Sequence, residues 1–201
     1  VLLLLTAGTA LQLAHFGWGL LATELMIGAL ALLWVRVQRL PWRETLRLHA
    51  ASPRLLALAF AMGLGLWLFD TWLGAVTSVL FGYDVAVPPG MYPQGLPAAM
   101  LVFVALALGA PLGEELFFRG YMQRAYDRLR PLPSILLVAL LFAMFHLSLV
   151  GLPPRLPIAL ALGYVAWRSN SLWPGVLLHA ANNAGAALFL AIIGLRPDLL
   201  E

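Results

Sequence analysis

The sequence predicts an all-α fold, a polytopic transmembrane helix bundle of about six to seven spans, and three observations carry that expectation. Hydrophobic residues make up 62% of the chain, charged residues only 10%, and the mean hydropathy is +0.91, values that belong to proteins solvated mainly by lipid. Apolar runs near or beyond the roughly 20 residues needed to cross a bilayer recur from one end to the other. Charges gather between those runs: the 12 basic residues are all Arg, most of them at the edges of apolar stretches.

Taken in order, residues 1–35 are apolar for longer than one crossing needs, and HFGWG at 15–19 divides them into a short first span and a second. The opening VLLLLTAGTA has no basic segment ahead of it and reads as part of a span, not as a signal peptide. RVQRLPWRETLRLHAASPR, 36–54, is an Arg-rich polar loop, and Leu55 to Phe81 forms the next span. GYDVAVPPGMYPQGLP, 82–97, is a Pro/Gly-rich loop without Arg. The following helix carries LGEELFFRG and ends in QRAYDRLRPLP. Residues 134–150 make a further span, GLPPR a turn, LPIALALGYVAWR a short span, and residues 171–195 the last. No repeat or linker divides the chain, so one integral membrane domain, 1–201, is expected, with the polar motifs confined to about 97–195.

Under alternating crossings Arg36, Arg39, Arg43, Arg47, Arg54, Arg119, Arg124, Arg128, Arg130 and Arg168 fall on one side, and Arg155 and Arg196 on the other. That imbalance marks the first side as cytoplasmic in a cell membrane, and Trp42, Trp167 and Trp173 beside these arginines read as interfacial anchors. The net charge of +3 is therefore a topology signal, and no nucleic-acid partner is expected. With no cysteine, disulfides, thiolate metal sites and cysteine nucleophiles are excluded, which leaves Glu, Asp, His, Ser and Asn for any catalysis. The lysine-free, Arg-, Ala- and Leu-rich composition suggests a bacterial inner membrane.

Against this background Glu114, Glu115 and Arg119 stand out, because an acidic residue at the centre of a span costs about 2.5–3.5 kcal/mol. Glu115 and Arg119 are four apart with the acid first, the favourable order for a pair within one helix. Glu114 is turned about 100° away and is left free for another task. Two later spans supply polar partners: FAMFH sets Phe142 and His146 on one face, and HAANN does the same for His179 and Asn183. Glu114 lies about 15 Å along its helix from Arg124, His146 about 20 Å from Pro133 and His179 about 16 Å from Arg168, so the three helices can bring these groups into one layer. Asn182 is off the His179 face and is a second choice. Glu24, Asp70, His15 and His49 have no motif around them.

Three motifs in order, Glu-Glu-x-x-x-Arg (Glu114, Glu115, Arg119), Phe-x-x-x-His (Phe142, His146) and His-x-x-x-Asn (His179, Asn183), resemble those of the CPBP intramembrane proteases, the CAAX- and bacteriocin-processing family. The resemblance implies a membrane-embedded endopeptidase acting on a peptide or protein substrate. In it Glu114 serves as general base on a water, His146 holds that water, and His179 with Asn183 stabilises the oxyanion. Glu115, Arg119 and Phe142 support them. No metal or other cofactor is favoured, because the Glu115–Arg119 pair sets a cation beside the site; zinc on Glu114, His146 and His179 is the alternative. Two further readings stay open: a non-catalytic membrane interaction or immunity protein, and a small transporter, although no paired interrupted segments support the latter. The sequence sets no oligomeric state.

Overall fold

A computed structural model of the protein describes residues 2–83, 91–127, 130–196 and 198, and among them every regular element is helical. The helices are α1 (Leu2–Ala14), α2 (Phe16–Val37), α3 (Trp42–Thr45), α4 (Pro53–Phe81), α5 (Leu96–Ala125), α6 (Pro131–Phe145), α7 (Leu152–Ser169) and α8 (Trp173–Leu195). Four of them, α2, α4, α5 and α8, are long and apolar enough to cross a membrane, and α6 is apolar but shorter. The expected helical membrane bundle is what forms. Arg128 and residues 84–90 of the 82–97 loop lie outside the described residues.

Local chemistry sets the helix ends. His15 is extended (φ −150°) and breaks α1 from α2. Ser52 caps α4 by accepting the Leu55 N–H at 3.3 Å, Pro53 supplies a first-turn residue that needs no donor, and Gly82 ends the helix in the left-handed conformation (φ 65°). Two boundaries differ from the expectation. Residues 134–150 do not form one span, because α6 stops at Phe145 and Leu147 takes a positive φ of 52° that no helix can continue. GLPPR is not simply a turn, because Pro153 and Pro154 occupy the first turn of α7, where a missing N–H costs nothing, and Arg155 is already helical.

With lipid on the outside, helices associate by close packing at small residues. A Cβ on Gly63 of α4 would collide with the Leu178 carbonyl of α8, and one on Gly113 of α5 would collide with the Glu24 carbonyl of α2. Gly63→Ala should therefore lower stability by about 1–3 kcal/mol, read as a reduced thermal midpoint of the purified protein in detergent. The core beneath is apolar and aromatic: Ile27, Ala31, Phe117, Phe118, Val138 and Phe142 pack together between α2, α5 and α6.

Arg47 differs from the arginines with which the sequence groups it. It is 2% exposed, pairs with Asp127 at 2.9 Å, and donates to the carbonyls of Arg119 and Ala166 and to Asn170 Oδ1. Together with Leu172 N–H donating to Arg47 O and Ser171 Oγ donating to His49 O, it clamps the 38–52 segment onto α5, α7 and α8. Arg47→Ala strands the buried end of this network, and a loss of about 3–5 kcal/mol is expected, measurable by urea titration of tryptophan fluorescence.

Candidate active site

The site is built around an irregularity in α5. Its helical turns widen to π geometry at Ala105–Gly109 and again at Leu116–Met122, and the short α segment between them, Ala110–Glu115, carries both glutamates. Such wide turns redirect side chains and recur at functional sites. The first has an identifiable partner. In the wide register the amide of residue 110 bonds the Ala105 carbonyl, so residue 111 would bond Leu106, but Pro111 has no N–H to offer. Asn183 of α8 fills the gap, its Nδ2 donating to Leu106 O at 2.9 Å.

Glu115 and Arg119 form the i,i+4 pair at 2.8 Å, both with side chains fully buried. Arg119 also donates to the Ala159 carbonyl of α7 at 3.1 Å, and its guanidinium carbon lies 4.3 Å from the centre of the Phe142 ring, a cation–π contact. The same Glu115 oxygen accepts from His179 Nδ1 at 3.1 Å. Acceptance by a carboxylate puts a proton on Nδ1 and turns Nε2 towards Glu114, whose Oε2 stands 3.7 Å away. Glu114 is only 6% exposed, and its Oε2 has no hydrogen-bond partner. Of two adjacent carboxylates, one is held by Arg and His while the other faces an imidazole across a gap.

Phe142 joins the two histidines. Its ring centre is 5.1 Å from that of His146 and 5.8 Å from that of His179, edge-on in both cases. His146 caps α6 and its Nδ1 donates to the Phe142 carbonyl at 3.0 Å, which leaves Nε2 as the lone-pair nitrogen. The structure thus brings Glu114, Glu115, Arg119, Phe142 and His179 together directly. His146 joins them through Phe142, and Asn183 is seated on Leu106. Among the described residues no three His, Asp or Glu side chains are grouped so as to hold a metal ion, and His179 engages Glu115.

Two groups that the sequence left aside enter the site's surroundings. Glu24 of α2 lies against Gly113, has its Oε2 buried without a partner, and interacts electrostatically with Glu114. Arg155 of α7 likewise interacts with Glu114 and with His146. Glu24 was legible as an ionisable residue at membrane depth, a feature that by default marks a functional site, whereas Arg155 was hidden in a stretch that reads as a turn. Asp70 turns elsewhere and meets Asn182 Nδ2 at 3.5 Å, which takes that asparagine away from Glu114. Beside the site an apolar cleft of about 440 Å³ runs between α4, α5 and α8, lined by Leu56, Pro111, Leu112, Trp173 and Val176 among others.

Comparison with known proteins adds one match. Residues 96–185, the stretch that holds every residue of the three motifs, match the family described as Type II CAAX prenyl endopeptidase Rce1-like. No curated protein and no solved structure matches the chain.

Proposed function

With residues 96–185 matching the family described as Type II CAAX prenyl endopeptidase Rce1-like, we propose that the chain is an intramembrane endopeptidase that hydrolyses a peptide bond of a peptide or membrane-associated protein by glutamate-activated water. The observation that carries this reading is the free Glu114 carboxylate beside a Glu115 whose bonds to Arg119 and His179 are already made. A base needs an available lone pair: Oε2 of each glutamate is buried without a hydrogen-bond partner, and Glu114 is the one of the two that no arginine holds among the described residues.

In the proposed sequence Glu114 takes a proton from a water held by the lone pair of His146 Nε2. The hydroxide oxygen bonds to the scissile carbonyl carbon and the carbonyl oxygen becomes an oxyanion. His179 donates to that oxyanion from Nε2 as the imidazolium, with Glu115 at Nδ1 as its counter-charge. Asn183 has two amide hydrogens and spends one on Leu106 O, so the other remains for the oxyanion. Glu114 then passes its proton to the departing nitrogen as the carbon–nitrogen bond breaks. The apolar cleft, whose lining residues Pro111 and Leu112 directly precede Gly113 and Glu114, receives an apolar stretch of the substrate.

The test is to incubate the purified full chain in detergent with a peptide library, with and without a chelator, and to read products by mass. Cleavage that persists with the chelator is the expected result. Cleavage lost with the chelator and restored by zinc would replace the metal-free mechanism, and no cleavage of any peptide would remove the protease reading.

A further inference from the structure

Arginines in this protein are answered by carboxylates wherever they are buried or bridged: Arg47 and Arg124 by Asp127, Arg119 by Glu115, and exposed Arg196 by Asp198. Arg155 differs. Among the described residues no carboxylate lies within ion-pair distance of it, and its Nη1 is buried with no hydrogen-bond partner. It is also deep. Along α7 it is about 20 Å from Arg168, and His146 is about 22 Å from the start of α6 at Pro131, so the two lie at similar depth along their helices. An unanswered cation at such depth is costly and marks a task.

The chain is shaped to hold this guanidinium in place. A Cβ on Gly151 would overlap Arg155 Nη1 and lie 2.7 Å from its Cζ, so glycine at 151 leaves the room in which the guanidinium lies over the 148–151 turn. Gly151 N–H donates to Ser148 Oγ at 3.0 Å and fixes that turn. The 148–151 turn over which it folds follows closely on His146, and the guanidinium interacts electrostatically with Glu114 of the candidate active site.

Resting on the endopeptidase reading, we propose that Arg155 is a specificity residue that binds a carboxylate of the peptide substrate next to the scissile bond. A planar guanidinium with free N–H donors matches a carboxylate fork to fork, and such a ligand would also supply the missing counter-charge. A peptide offers this chemistry in two forms, the α-carboxylate at its C-terminus and the side chain of Asp or Glu.

Binding separates the proposal from the chemistry. Fluorescein-labelled apolar octapeptide pools are prepared with a free C-terminal carboxylate, with a C-terminal amide, and as amides carrying one internal Glu or Gln. Their affinities are measured by anisotropy on the full chain bearing Glu114→Gln, with and without Arg155→Gln or Arg155→Lys. One carboxylate form should bind roughly 10- to 100-fold more tightly than its neutral counterpart. Arg155→Gln should abolish that ratio and Arg155→Lys should restore part of it. A preference for free acid over amide identifies the α-carboxylate as ligand, and a preference for Glu over Gln identifies the side chain. Equal affinities for acid and neutral pools, or a preference that survives Arg155→Gln, overturns the proposal. Thermal midpoints separate a structural role, since removing an unpaired buried cation should leave stability equal or higher, whereas a large fall would make Arg155 a structural residue and overturn the assignment. Cleavage of the same pools by the unmodified protein is scored independently: discrimination without cleavage removes the protease reading and keeps the carboxylate site, and cleavage without discrimination does the reverse.

Discussion

Glu114→Gln is expected to reduce peptide cleavage by about 10²- to 10⁴-fold, the usual contribution of a positioned general base, while leaving the protein folded and at least as stable as before. The two halves of that expectation come from one observation. Glu114 Oε2 is buried without a hydrogen-bond partner, so its charge is a cost to the fold and an asset to the reaction. Replacing it with an uncharged amide of the same shape removes the cost and the basicity together. The fall should appear in kcat, with KM little changed, because the carboxylate acts on water and not on the substrate's binding groups. Activity that survives Glu114→Gln would show that another group activates the water, and a collapsed thermal midpoint would show that the carboxylate is structural after all.

The contrast between the two glutamates was readable in the sequence because it rests on helical rotation alone. Four residues separate Glu115 from Arg119, while Glu114 is turned about 100° aside. The wide turn that begins at Leu116 leaves that pair intact, at 2.8 Å. The apolar runs were equally readable, since membrane thickness fixes their length. What one dimension could not supply was tertiary placement. Nothing near Glu24 or Arg155 in sequence announces Glu114. Glu24 comes beside it because Gly113 admits the Glu24 backbone, and Gly151 leaves room for the Arg155 guanidinium. Arg47 likewise looked like one more interfacial arginine in an Arg-rich loop, and only the fold of that loop onto α5, α7 and α8 turns it into an internal clamp. The role of Asn183 at Leu106 depends on the π turn at Ala105–Gly109 just before Pro111, which propensity does not predict, although a proline inside an apolar helix signals a carbonyl in need of a donor.

Arg119→Met should produce the opposite phenotype from Glu114→Gln, a loss of about 3–5 kcal/mol in stability. Arg119 and Glu115 are both fully buried, and Arg119 additionally bonds the Ala159 carbonyl and stacks on Phe142. Removing the cation leaves Glu115 charged in the bundle with only His179 beside it, and α5 loses its tie to α7. The double variant Glu115→Leu with Arg119→Met should recover most of that loss, because a buried pair replaced whole by apolar residues is often neutral in stability, whereas a half-removed pair is not. Activity should stay low in the double variant even where stability returns, since His179 Nδ1 then lacks the acceptor that orients its ring. Urea unfolding in detergent and kcat, measured across the four proteins of the cycle, check both statements. A double variant that is stable and fully active would show that Glu115 and Arg119 hold nothing the reaction uses. One that is as unstable as Arg119→Met would show that α5 needs the pair itself and cannot be packed without it.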